Sequence, residues 1–222
     1  LATTSTGVDI SGTVTADGLD LESSTGDAAL TIDDSRSNVG DLSRIDFRHN
    51  GITGSQIKSK AIEDFSTSAN RSSDLSFHVR NNGTIIDAVT VDTSGNLLVG
   101  TQNTTWASQE GLRYFNGSSL IVTRDSDEPL NLNRLTNDGQ IISLKKDGTT
   151  VGSIGTKASD LTIGTGDTGL RFVDSTNTLY PWNTTTNSGT DGTIDLGEGS
   201  SNRFKDLYLS GTANVGGNLL VG

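Results

Sequence analysis

Asp74-Leu75-Ser76-Phe77-His78-Val79-Arg80 runs through Asn82-Gly83 to Val89-Thr90-Val91, and this stretch decides the fold. Leu75, Phe77 and Val79 alternate with Ser76, His78 and Arg80, which puts apolar groups on one face of a strand and polar groups on the other. Asn82-Gly83 tolerates the positive φ that a tight hairpin turn requires, and Val89 and Val91 resume the alternation beyond it. The reading is a β-hairpin.

The same grammar extends along the chain in both directions. Ile45 and Phe47, Leu130 and Leu132, Leu161 and Ile163, Leu170 and Phe172, and Leu207 and Leu209 each mark a strand of period two. Between the runs stand the turn dipeptides Asp17-Gly18, Asn50-Gly51, Asn116-Gly117, Asp138-Gly139, Asp147-Gly148 and Asp191-Gly192. Helical spacing is confined to Ile57, Ala61, Ile62 and Phe65, where the flanking Ser and Thr suit a strand equally well. At most one short helix, around residues 55–66, is expected. The expected fold class is all-β, as an elongated fibre of short strands, hairpins and stacked β modules, β-prism or β-helix-like, with little helix.

Gly95-Asn96-Leu97-Leu98-Val99-Gly100 recurs as Gly217-Asn218-Leu219-Leu220-Val221-Gly222. An identical hexapeptide suggests small β modules stacked along an axis. The expected division is an N-terminal stalk segment over 1–39, a first module over 40–101 ending in the repeat, a hairpin module over 102–156 and a third module over 157–222. Each copy of the repeat is expected to form a short strand at a module end, with its preceding glycine in a turn. Leu97 and Val99, and likewise Leu219 and Val221, are expected on a face buried against neighbouring chains, with Leu98 on the other face.

Composition narrows the function. Apolar residues make up 31% and aromatics 5% of 222 residues. Such a lean chain gains little from burial, at about 25 cal/mol per Å² of apolar surface, against roughly 1–2 kcal/mol per residue of backbone entropy. Association with identical chains closes that gap. A net charge of −11, from 27 acidic and 16 basic residues, is the opposite of a nucleic-acid-binding footprint. Cysteine is absent, which removes disulfides, thiolate nucleophiles and cysteine metal sites. No apolar run reaches the roughly 20 residues of a membrane-spanning helix, so a soluble chain without membrane insertion is expected. No secretory leader pattern is visible, and a start at Leu1 rather than Met reads as a piece of a longer polypeptide.

Few motifs carry chemistry. Gly164-Thr165-Gly166-Asp167-Thr168-Gly169 matches a dinucleotide fingerprint by letters, but a strand follows where a helix is required, so it reads as a turn. His49 and His78 lack a second ligand at metal-site spacing and read as outward strand residues. Asp33-Asp34, Glu63-Asp64 and Asp125-Ser126-Asp127-Glu128 read as solvated loop charges, and no Ca²⁺-loop pattern accompanies them. Leu179-Tyr180-Pro181-Trp182-Asn183 is the most distinctive aromatic stretch. Tyr180 and Trp182 are candidate glycan-stacking residues, set against a structural role as a plug at a module junction. No cofactor and no metal site are expected.

Several strings resemble tail-fibre-like virion proteins of tailed phages, especially marine and cyanobacterial ones. They are Asp92-Thr93-Ser94 leading into the first repeat, Leu130-Asn131-Leu132-Asn133-Arg134-Leu135, Asn137-Asp138-Gly139-Gln140-Ile141-Ile142, Lys146-Asp147-Gly148-Thr149-Thr150-Val151-Gly152-Ser153-Ile154-Gly155, Thr193-Ile194-Asp195-Leu196-Gly197 and Asn202-Arg203-Phe204-Lys205-Asp206-Leu207-Tyr208-Leu209-Ser210-Gly211. The resemblance covers residues 40–222 and concerns stalk modules without an active site. It implies a homotrimeric fibre in the virion, partnered by other tail or appendage proteins and by a host surface glycan. It also implies a C-terminal chaperone domain, which is not legible in these residues. The expected function is a structural segment supporting host-cell adsorption, without catalysis. The alternatives are a polysaccharide-degrading tailspike, acting as a glycosidase or lyase, and a secreted bacterial β-solenoid adhesin.

Overall fold

The computed structural model describes residues 30–40, 42–69, 71–105, 107–199 and 201–217. The chain divides between Leu130 and Asn131 into two compact units, each built on one antiparallel sheet. In the first unit, β1 (Leu42–His49), β2 (Ile52–Ala61), β3 (Ser73–Asn81), β4 (Thr84–Val91), β5 (Leu97–Val99), β6 (Gly111–Tyr114) and β7 (Leu120–Thr123) form a seven-stranded meander in chain order. In the second, β8 (Gly139–Lys146), β9 (Thr149–Lys157), β10 (Asp160–Thr165), β11 (Thr168–Val173), β12 (Thr178–Asn183) and β13 (Ser188–Gly189) do the same over six strands. A 3-10 turn, Asp174–Thr176, joins β11 to β12. There is no α-helix among the described residues.

The turn chemistry works as read at three hairpins. Asn50-Gly51, Asn82-Gly83 and Asp147-Gly148 hold φ of 49° and 77°, 46° and 88°, and 49° and 80°. Two consecutive positive values match the right-handed twist of the flanking strands. Ala158-Ser159 makes the same excursion between β9 and β10, at 50° and 70°, without Gly or Asn. Asp138-Gly139 and Asp191-Gly192 join no hairpin: Gly139 opens β8, and Gly192 lies beyond β13. Asp17-Gly18 lies outside the described residues.

Register lines up whole rows of side chains. Ile45, Ile57, Phe77, Val89, Val99, Leu112 and Val122 are cross-strand partners in succession, so one apolar row crosses every strand of the first sheet. The next residue along each strand gives the opposite face: Arg44, Lys58, Ser76, Thr90, Leu98, Arg113 and Ile121. In the second sheet Ile142, Ile154, Ile163, Leu170 and Pro181 form the apolar row. Leu161, Phe172 and Leu179 form another on the same side.

Burial is inverted relative to an ordinary one-sided sheet. The apolar faces are open, with Phe77 42% and Phe172 43% exposed. The polar faces are closed: Ser76, His78, Thr90, Arg113, Ser153, Asp160 and Thr162 are all buried. The buried apolar side chains among the described residues are Leu98, Val173 and Trp182, and all three lie on those closed sides.

Several expectations are corrected here. Residues 55–61 form strand rather than helix, because Ile57 is paired on both sides, with Ile45 and Phe77. Leu130 and Leu132, and Leu207 and Leu209, form no strand; each pair lacks a neighbouring run to supply ladder hydrogen bonds. The strand of the first repeat, β5, sits inside the first sheet between β4 and β6, and the two units meet in sequence at 130/131. Leu97 and Val99 share the open apolar face of that strand and Leu98 takes the other, where, within the single chain, it is 1% exposed beside Thr90 and Arg113. Gly95 does occupy a turn, at φ 77°. Leu219 to Val221 lie outside the described residues.

Candidate functional site

Arg113 closes one end of the first sheet's polar face. It is fully buried and holds the segment 101–110 against the sheet. Its Nε donates to the Asn103 carbonyl at 2.6 Å, and its Nη2 donates to Thr101 Oγ1 at 3.1 Å and to the Gln109 carbonyl at 3.0 Å. A planar guanidinium with a fixed fork of donors satisfies several loop carbonyls at once, which a lysine could not do. Glu110, at the end of this loop, accepts from Arg124 at 2.8 Å.

Further along the same face, His78 is 5% exposed, which corrects its reading as an outward residue. His49, by contrast, is exposed. Ser76 lies two residues before His78 and therefore on the same side of β3. Its Oγ is 2.7 Å from His78 Nε2. His78 Nδ1 contacts Asp87, its cross-strand partner on β4, and the other Asp87 oxygen accepts from Gln102 Nε2. The Lys58 ammonium lies 3.4 Å from Nδ1. Burial pushes the imidazole below its ordinary pKa, Asp87 raises it and Lys58 lowers it further. Ser76, His78 and Asp87 line a cavity of about 350 Å³ together with Lys58, Lys60 and Leu98.

This cluster was within reach of the sequence. A two-residue turn at Asn82-Gly83 pairs Asn81 with Thr84, and counting outward pairs His78 with Asp87. A serine two residues before the histidine completes the set.

In the second sheet the aromatic candidates separate. Trp182 is 4% exposed, and the Arg171 guanidinium lies 5.0 Å from its ring centroid. Its Nε1 donates to Asn187 Oδ1 at 3.1 Å, and Asn187 reaches across to the Thr156 carbonyl at 3.3 Å. Arg171 also pairs with Asp160 at 2.7 Å. The indole therefore packs inside its own unit. Tyr180, on the same face two residues earlier, is 41% exposed. Ser153, Gly164, Gly169, Trp182 and Gly189 are register partners in one row; a Cβ on Gly189 would stand 3.7 Å from the indole, and one on Gly164 2.5 Å from Gly169 Cα.

The remaining motifs are quiet. Gly164 and Gly169 are cross-strand partners flanking the β10–β11 hairpin, so the Gly-rich string is a turn. Asp34 pairs with Arg36, whose hydrogen bonds pull its carboxyl down to about 2. No group of three His, Cys, Asp or Glu is placed to hold a metal among the described residues. No family model, curated protein or solved structure matches this chain.

Proposed function

We propose that the chain is a structural segment of a bacteriophage tail fibre or related virion appendage, working as a homotrimer in support of host-cell adsorption. The observation that carries this reading is the inverted burial of both sheets. Seven apolar side chains in one row, each with its outer surface in water, cost stability unless another surface covers them. Fully covering each large side chain contributes up to about 1.5–3 kcal/mol, and those already half-covered have about half of that to gain. Another copy of the same chain supplies a matching apolar face at equal concentration, and three copies form a ring of contacts that closes on itself. The number three rests on the family resemblance, the self-association on the open faces. The polar faces then look outward, toward other appendage proteins and host glycan.

Sedimentation or light scattering of the purified chain tests this. A trimer mass is expected for the natural sequence, and Phe77→Asp is expected to shift it to monomer with the circular dichroism of strands retained. A natural chain that stays monomeric at tens of micromolar overturns the reading.

A further inference from the structure

We propose that Ser76 is an activated nucleophile toward short-chain acyl esters, with His78 as its general base and Asp87 as the group that orients the base. The inference goes beyond the fibre reading and holds whether or not copies associate, because the cluster lies on the face opposite the apolar row.

Three features distinguish this arrangement from a merely satisfied core histidine. First, the chain of contacts has direction. Asp87 is the closer of the two groups at Nδ1, so the ring proton sits there, leaving Nε2 as a lone pair 2.7 Å from the Ser76 hydroxyl. Nucleophile, base and orienter are recognised by these roles rather than by order in the chain. Second, the orienter is itself held: Gln102, from the segment anchored by Arg113, donates to the second Asp87 oxygen. Third, Ser76 lines a cavity instead of being sealed among side chains.

The surroundings set the substrate class. A space of about 350 Å³ is at the small end of ligand sites, which suits an acetyl- or butyryl-sized group rather than a long acyl chain. Lys58 stands opposite Ser76 on β2, and Lys60 lines the same cavity, so two cations border the place where negative charge would develop on the ester oxygen. Asp74 and Asp92 also line it and oppose that effect.

The step balances with water alone. Ser76 Oγ bonds to the ester carbonyl carbon as its proton moves to His78 Nε2. The carbon–alkoxy bond then breaks and the departing alcohol takes that proton. Water attacks the acyl-serine, passing a proton to Nε2, and the carboxylic acid leaves as the proton returns to Ser76 Oγ.

The test uses the folded chain with a fluorophosphonate probe and, separately, 4-nitrophenyl acetate. One adduct on the peptide carrying Ser76 is expected, with release of nitrophenolate. Labelling and turnover should fall to the solvent background in Ser76→Ala, and about 10²–10⁴-fold in His78→Gln. Asp87→Asn should slow both while leaving the strand spectrum unchanged. Absence of an adduct on Ser76 in the natural folded chain, under conditions that label a control serine hydrolase, overturns the proposal without reference to any variant. Labelling that survives His78→Gln unchanged overturns the role of the base.

Discussion

The two sheets share a binary pattern and an inverted burial, yet they close their polar faces by different means. The first does so with a cation: Arg113 draws the segment 101–110 over the sheet by donating to its carbonyls. The second does so with a ring: Trp182, in register with a row of small residues, is buried beneath Arg171, which Asp160 holds in place. Closure by hydrogen bonds depends on every acceptor being met, whereas closure by an aromatic depends on the shape of the floor beneath it. The first sheet should therefore be sensitive to loss of a donor, and the second to added volume.

Trp182→Ala should give the largest effect, destabilising the second unit by about 3–5 kcal/mol through cavity formation. Urea unfolding followed by circular dichroism would show it, and a loss below 1 kcal/mol would deny the indole its role as a core. Arg113→Ala should cost the first unit about 3 kcal/mol, since several loop carbonyls lose a charged donor at once. Protease cleavage within 101–110 should accelerate in that variant while the second unit keeps its resistance. Gly164→Ala should cost about 1–3 kcal/mol by overpacking, because its Cβ would stand 2.5 Å from the Gly169 and Thr168 backbone, which cannot move aside as the nearby Thr184 methyl can.

The smallest effect is a pH dependence of the second unit. The Asp174 amide and the Arg171 guanidinium, in that order, hold the Asp160 carboxyl below its ordinary value. A folded pKa below the unfolded one means that the stabilisation is present above the unfolded value and is lost as pH falls through the folded value. Acid titration of stability should therefore be shallower in Asp160→Asn. An identical acid limb in both proteins would remove Asp160 from the account.

Hairpins were legible at Asn50-Gly51, Asn82-Gly83 and Asp147-Gly148, where the runs on both sides of the pair form strands, but not at Asp138-Gly139 or Asp191-Gly192, where the run on one side forms none. The Ala158-Ser159 turn was not legible, because neither residue favours positive φ and the flanking strands impose it. Alternation placed Leu75, Phe77 and Val79 together correctly, but period two separates two faces without saying which is covered. That decision lay with Arg113 and the segment it binds, which is why His78 and Leu98 are buried while Leu97 and Val99 stand on the open side. The Leu130–Leu132 and Leu207–Leu209 alternations failed for a simpler reason. Two residues of period two specify no partner strand, and a strand exists only by pairing. The Ser76–His78–Asp87 cluster was latent in the same turn that revealed the hairpin.

The strict chain order of the strands bears on how the molecule comes into being. Each strand pairs with the one just made, so neither sheet waits for a distant part of the chain to arrive. Hairpins close in microseconds, far faster than a ribosome adds roughly ten residues per second, so each sheet can grow strand by strand during synthesis. On the proposed trimer reading, the slow event would be the meeting of whole chains, a step governed by concentration rather than by topology.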